Sequence, residues 1–144
     1  MLMGNHERRL QRWTAGNLGE ADLLAMVISN PNRIEMSNFG YCDVEPGNWR
    51  VTHAKNYSQI ALTVPEKLAW SLQKNIICFH PHRINKGWDR YGNFVIIEGG
   101  CLVDQSKLAY KSLDDNTGCT MQRGFVLLKD GCPTLYGEEP FTRW

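Results

Sequence analysis

The fold class follows most directly from residues 63–80, which read TVPEKLAWSLQKNIICFH. Thr63 can cap a helix while Glu66 reaches back to the capping residue, and proline is tolerated in the first helical turn. Apolar residues at helical spacing follow, so we predict a helix that ends near Lys74. The apolar run 75–80 comes next and predicts a buried central strand.

Further strands are predicted on both sides of this helix. Apolar and polar residues alternate over residues 49–53 and 60–62, at the period of two that indicates strands. Residues 94–97 form a second apolar run of strand length. Near the C-terminal end, Asp130-Gly131 separates two β-rich runs, and this dipeptide supplies the positive φ angles of a tight hairpin turn.

The first thirty residues favour two helices, the second of them over residues 19–29, and Asn30-Pro31 ends it. Residues 30–48 and 81–92 are predicted to be mainly loop because they contain glycine and proline. Helices followed by mostly sequential strands, with one inserted helix, predict an α+β fold with a largely antiparallel sheet. At 144 residues, we expect a single domain over residues 1–144.

Composition places the chain among ordinary globular proteins. Apolar residues make up 42% and charged residues 22% of the sequence, which excludes intrinsic disorder. The net charge of +1 neither supports nor excludes nucleic-acid binding, which depends on local cationic surfaces. No signal peptide and no apolar run of membrane-spanning length occur, so we expect a cytoplasmic protein without a membrane partner.

Five cysteines, an odd number without a CxxC pair, indicate reduced thiols in a reducing compartment. Cys78 and Cys101 lie in apolar runs and are expected to be buried. Gly99-Gly100 lacks the spacing of a nucleotide-binding glycine loop, so we expect no nucleotide cofactor.

Histidines at positions 53, 80 and 82 are the candidate catalytic residues. Imidazole titrates near neutrality, and two imidazoles beside a cation can cleave RNA without a metal ion. His53, His80 and His82, with Arg83, would form such a site. An alternative is a metal site with Cys78, His80 and His82 on one face of a strand. No second paired ligand set is present, so we expect no metal and no other cofactor.

The segment after His80 is basic and aromatic, with Asp89 as the one acidic residue between positions 79 and 94. Cations contact phosphates and aromatic faces stack bases, so this composition suits a single-stranded nucleic acid. Trp, Tyr and Arg also dominate hot spots of protein interfaces, so the choice between the two partners stays open. The candidate partner-binding residues are Arg83, Lys86, Trp88, Arg90 and Tyr91.

The function predicted first is that of a small cytoplasmic, non-enzymatic binding or regulatory protein, including an inhibitor of a larger nucleic-acid-processing complex. It would contact a protein or a single-stranded nucleic acid through residues 80–92. The alternative is a small metal-independent ribonuclease that uses the paired histidines.

Overall fold

The structure is a computed structural model that describes residues 5–27, 37, 39–102 and 121–137. Its helices are α1 (Asn5–Trp13), α2 (Glu20–Val27) and α3 (Thr63–Leu72). Its strands are β1 (Tyr41–Val44), β2 (Trp49–Thr52), β3 (Asn75–Cys78), β4 (Ile84–Trp88), β5 (Val95–Gly99), β6 (Gly124–Lys129) and β7 (Cys132–Gly137). None of the helices in these ranges has the length and apolar character needed to cross a membrane.

Five strands form one mixed sheet in the order β1-β2-β3-β5-β4, and the hairpin β6–β7 forms a second sheet. The predicted α+β class is confirmed. Three of the five pairings described are antiparallel, but β2, β3 and β5 run parallel at the centre of the larger sheet. The centre is parallel because α3 provides the long crossover that joins two parallel strands, β2 and β3.

Each face of the larger sheet is covered by a different element. Successive side chains of a strand point to opposite faces, so Ile76 and Ile77 contribute to separate clusters. On one face α3 packs over a cluster of Ala54, Val64, Ala69, Ile76, Cys78 and Ile96. On the other face the hairpin packs over Trp49, Ile77 and Ile97, with Val126, Leu128 and Leu135 at its edge.

The predicted helix and hairpin are confirmed, with one change at the start of the helix. The capping position belongs to Leu62, which has a left-handed φ of 61° and no side-chain cap. In the hairpin, Asp130 and Gly131 have φ angles of 49° and 76°, and Lys129 pairs directly with Cys132.

Three strand assignments differ from the sequence-based expectation. The predicted strand at residues 60–62 is wrong, because residues 59–62 form the turn that precedes α3 and Ile60 is 73% exposed. β1 lies within the predicted loop 30–48, and β4 lies within the predicted loop 81–92. Both missed strands are short edge strands, where polar residues are tolerated and the apolar alternation is weak.

The four cysteines in the described part of the chain are free thiols. Cys78 is fully buried, and burial raises the pKa of its thiol, so this side chain is an unreactive part of the core. Cys101 is half-buried rather than buried, because it follows β5 at the edge of the core. Cys119 lies outside the described residues.

Candidate functional site

His53 and His80 meet at the carboxyl edge of the parallel strands. The last residues of the parallel strands β2 and β3, Thr52 and Cys78, are paired. His53 follows β2 directly, and His80 lies two residues after the end of β3. Nδ1 of His80 lies 3.2 Å from Nε2 of His53. The two rings are T-shaped with centroids 5.1 Å apart. Parallel pairing therefore brings together two side chains that are 27 positions apart in sequence.

The contact between the two rings limits the charge of the histidine pair. A hydrogen bond between two imidazole nitrogens needs one donor and one acceptor, and the tautomers decide which ring donates. While this bond is present, the pair carries at most one positive charge. One ring can then be protonated while its neighbour is neutral, which is the combination of a general acid and a general base.

The histidine pair lines a cleft of about 1300 Å³ whose walls are cationic and aromatic. Residues 39–41 and the loop 53–58 form part of the wall, together with the exposed sides of α1 and α3. No carboxylate is found among the described residues that line this cleft. The cationic lining residues are Arg8, Arg9, Arg12, Lys55 and Lys67, and the aromatic ones are Phe39, Tyr41 and Tyr57.

One wall is fixed by the strand pair β1–β2. The carbonyl oxygen of Gly40 accepts hydrogen bonds from the His53 backbone N–H at 2.7 Å and from the Thr52 hydroxyl at 3.0 Å. The nearest carboxylate on this strand pair, Asp43, accepts two hydrogen bonds from Arg50 at 2.6 and 2.8 Å. The hydrogen bond from Arg50 lowers the pKa of Asp43, so its charge is compensated within the protein.

The side chain of Arg83 holds the loop 53–62 in place through hydrogen bonds to its backbone. The Arg83 guanidinium donates to the carbonyl oxygens of Gln59 at 2.6 Å and Ser58 at 2.8 Å, and to Oε1 of Glu98 at 3.2 Å. Glu98 is fully buried, and Asn85 donates to its other oxygen at 3.0 Å. Arg83 is thus engaged inside the protein, where it positions one wall of the cleft.

The other predicted partner-binding residues lie on two different faces. Lys86 and Trp88 share the face of β4 that points toward the hairpin, where Nζ of Lys86 lies 3.4 Å from the Pro133 carbonyl oxygen. Arg90 and Tyr91 lie beside α3 instead. Trp88 is 64% exposed. The five residues predicted as one contact surface therefore do not form a single continuous surface.

His82 is not among the described residues that line the cleft of the histidine pair. It adopts a left-handed φ of 56° in the turn after β3, and its carbonyl oxygen accepts a hydrogen bond from the Gln122 backbone N–H at 2.8 Å. Within the described ranges, no three His, Cys, Asp or Glu side chains gather as ligands of a metal ion would. This includes the set considered from sequence, Cys78, His80 and His82.

Sequence reasoning missed the residues that give the cleft its charge. Lys55 and Tyr57 follow His53 in a polar segment that received no functional prediction, and Lys67 lies on the exposed side of α3. The available signal was the presence of Lys55 and Tyr57 directly after His53, because the whole segment 53–58 lines the cleft.

Comparison with protein-family models, with curated proteins and with solved structures finds no match to this chain. Function is therefore inferred from the chemistry of the cleft itself.

Proposed function

We propose that the protein binds single-stranded nucleic acid in the cleft that contains His53 and His80. The observation that supports this most directly is the lining: five lysine and arginine side chains and three aromatic rings, without a carboxylate among its described residues. Cations neutralise phosphates, and aromatic faces stack unpaired bases without a preference for sequence. Local concentration of charge explains how a chain of net charge +1 can bind a polyanion.

Size and exposure favour a single strand over a small ligand or a duplex. Small-molecule pockets span roughly 300–1,000 Å³, and this cleft of about 1300 Å³ is larger. Phe39 and Tyr57 are 61% and 56% exposed. Rings exposed to this extent can stack on bases that are not already stacked in a duplex.

This proposal keeps one of the two predicted partners and changes the contact surface. The sequence assigned binding to residues 80–92, but Arg83 is committed to Glu98 and to the loop 53–62. The cleft places more cations together than that segment does, since five of the chain's 16 lysine and arginine residues line it.

The test compares two double variants that remove the same charge from different faces. Lys55→Ala with Lys67→Ala changes the cleft, and Lys86→Ala with Lys129→Ala changes the hairpin side. With a fluorescent single strand of about 12 nucleotides, we expect the cleft variant to bind roughly tenfold or more weakly, because hydrogen bonds between charged groups are removed. The slope of log K against log salt should fall by about 0.7 for each phosphate that the variant no longer neutralises.

The control variant should bind within about twofold of the wild type, as expected for sites distant from the ligand. Equal losses in both double variants would show that binding follows total charge rather than the cleft. Wild-type affinity in the cleft variant would contradict the proposal.

A second candidate function is cleavage of the bound RNA, which the presence of both His53 and His80 among the lining residues of one cleft favours. One imidazole would take the proton of a ribose 2′-hydroxyl, whose oxygen attacks the adjacent phosphorus. The bond from phosphorus to the 5′ oxygen breaks, and an imidazolium protonates that oxygen. The products are a 2′,3′-cyclic phosphate and a 5′-hydroxyl.

A DNA strand that contains one ribonucleotide tests this reaction in the presence of a chelator. We expect cleavage after the ribonucleotide, with a rate reduced about 10²- to 10⁴-fold in His53→Ala and in His80→Ala. His82→Ala serves as the control and should retain activity, because His82 lies outside the cleft. An intact strand after incubation with the wild type would leave binding as the function of the cleft.

A further inference from the structure

A second, smaller pocket lies beside the cleft on the outer side of α3. It has a volume of about 350 Å³ and is lined by Glu66, Lys67, Trp70, Ser71 and Arg90. This volume is at the lower end of the range for pockets that hold small organic groups. Lys67 lines both the pocket and the cleft, so the two depressions share one cation at their boundary.

Trp70 lines this pocket, and its ring contacts the exposed ring of Tyr91. The rings of Trp70 and Tyr91 have centroids 5.0 Å apart and planes inclined by 30°. Trp70 is 50% exposed and Tyr91 is 59% exposed. Each ring therefore contacts the other while much of its surface remains open to solvent, which is the arrangement of a stacking platform.

The platform is held in place by its own turn before any ligand binds. Oδ1 of Asp89 accepts hydrogen bonds from the backbone N–H groups of Asn93 at 2.6 Å and Phe94 at 2.8 Å. These bonds close the turn that carries Tyr91, while Trp70 is fixed on α3. A preorganised surface loses less conformational entropy when a ligand binds to it.

The local charges also suit an anionic strand. Oε1 of Glu66 accepts hydrogen bonds from Nε of Arg90 at 3.0 Å and from the Arg90 backbone N–H at 3.2 Å. The hydrogen bond from the Arg90 side chain lowers the pKa of Glu66, so the carboxylate stays ionised and paired. Lys67 then remains as the uncompensated cation among the lining residues of the pocket.

We propose that Trp70 and Tyr91 form a stacking subsite for a base of the nucleic-acid strand whose phosphates lie in the cleft, with Lys67 at the junction. This inference rests on the proposed function of the cleft. It defines the path of the bound strand over the protein surface, from the histidine pair across α3 to the turn 89–93. The subsite accepts any base, because every base has a face that stacks.

The test uses two single strands, one of about 4 nucleotides, at the lower end of the site sizes known for single-stranded binding folds, and one of about 12 nucleotides, well within that range. A strand of about 4 nucleotides is expected to be held by the cleft alone, whereas the longer strand fills the cleft and also covers Trp70. Trp70→Ala and Tyr91→Ala should each weaken binding of the longer strand about 5- to 150-fold, the effect of losing one stacked base. Binding of the shorter strand should change by less than about twofold.

Two matched variants complete the design. Trp70→Phe keeps an aromatic face and should retain most of the affinity for the longer strand. Trp88→Ala removes a similarly exposed indole from the opposite face of the sheet and should bind both strands as the wild type does. Thermal melting of each variant verifies that the domain is folded.

The outcomes separate the subsite from the proposed function. If Trp70→Ala and Tyr91→Ala bind the longer strand with wild-type affinity while the cleft lysines are still required, the subsite is wrong and the cleft remains the binding site. An equal loss in Trp88→Ala also overturns the subsite. If the wild type binds neither strand, the proposed function fails and the subsite fails with it.

Discussion

Arg83 shows how a single residue can link the core to the cleft. Its side chain is 12% exposed and lies 3.2 Å from the carboxylate of Glu98, which is fully buried. The Leu62 backbone N–H also donates to that carboxylate at 3.0 Å, just before α3 begins. A carboxylate in this position is tolerable only because every one of these donors is present.

Replacement of Arg83 by alanine should therefore act mainly on stability. It leaves the buried Glu98 without its ionic partner, and we expect a loss of about 3–5 kcal/mol in the free energy of unfolding. Arg90→Ala is the matched control, because it removes a guanidinium from Glu66 where Arg90 is 66% exposed. A surface ion pair of this kind contributes about 0–1 kcal/mol.

Urea unfolding followed by circular dichroism measures both variants against the wild type. A loss below about 1 kcal/mol in Arg83→Ala, similar to that of Arg90→Ala, would contradict a buried structural role for Arg83.

The sequence could identify reactive residue types but not their neighbours. His53 and His80 were singled out because imidazole suits acid–base chemistry near neutral pH, and the structure places a nitrogen of one ring 3.2 Å from a nitrogen of the other. Arg83 was interpreted as a contact residue because it begins a basic and aromatic segment. Nothing in the local sequence shows that Glu98, on another strand, would face it. Such pairings depend on strand order, which local patterns do not specify.

At the scale of elements, the β6–β7 turn ties the hairpin to the rest of the molecule. The indole N–H of Trp49 donates to the Gly131 carbonyl oxygen at 2.9 Å, and Gly131 adopts a left-handed φ of 76°. A Cβ atom added at Gly131 would lie 2.8 Å from the Pro46 carbonyl oxygen. Both the backbone angle and the lack of space require glycine at this position.

Gly131→Ala should destabilise the protein by about 1–3 kcal/mol, the cost of an alanine held in a strained left-handed conformation. Asp130→Asn is the control at the adjacent position, since asparagine also tolerates a positive φ, and it should be close to neutral. Thermal unfolding measured in parallel compares the two. Equal stability of Gly131→Ala and the wild type would show that the turn can move away from Pro46.

Local chemistry explains which elements could be predicted. The Asp-Gly turn and the apolar spacing of α3 are set by residues close in sequence, and both elements were predicted, whereas the predicted cap at Thr63 was wrong. β1 and β4 escaped prediction because each is a short edge strand with polar residues, and in β4 the consecutive Asn85 and Lys86 interrupt the apolar alternation. The parallel pairing of β2 with β3 follows from the crossover through α3. The sequence of predicted elements along the chain does not by itself show which strands pair.

At the scale of the whole molecule, the larger sheet separates a core cluster next to the cleft from a second core cluster under the hairpin. The hairpin covers one face and closes a core around Trp49, Ile77 and Ile97. α3 covers the other face, and its core cluster includes Ala54 and Val64, which also line the cleft. Packing on the α3 face is therefore coupled to the shape of the cleft, whereas the core residues on the hairpin face are not among the residues that line it.

Two neighbouring isoleucines of β3 test this separation. Ile76 is fully buried toward α3, and Ile77 is 2% exposed and buried toward the hairpin. Ile76→Ala and Ile77→Ala remove the same atoms from the same strand, and each should cost about 2–5 kcal/mol of stability.

Affinity for the single strand should differ, since residues in contact couple energetically whereas distant ones act independently. At a temperature where circular dichroism shows both variants folded, Ile77→Ala should bind within about twofold of the wild type, and Ile76→Ala roughly fivefold more weakly. If Ile77→Ala loses as much affinity as Ile76→Ala, the sheet does not insulate the cleft from the hairpin, and the binding surface extends around both faces of the molecule.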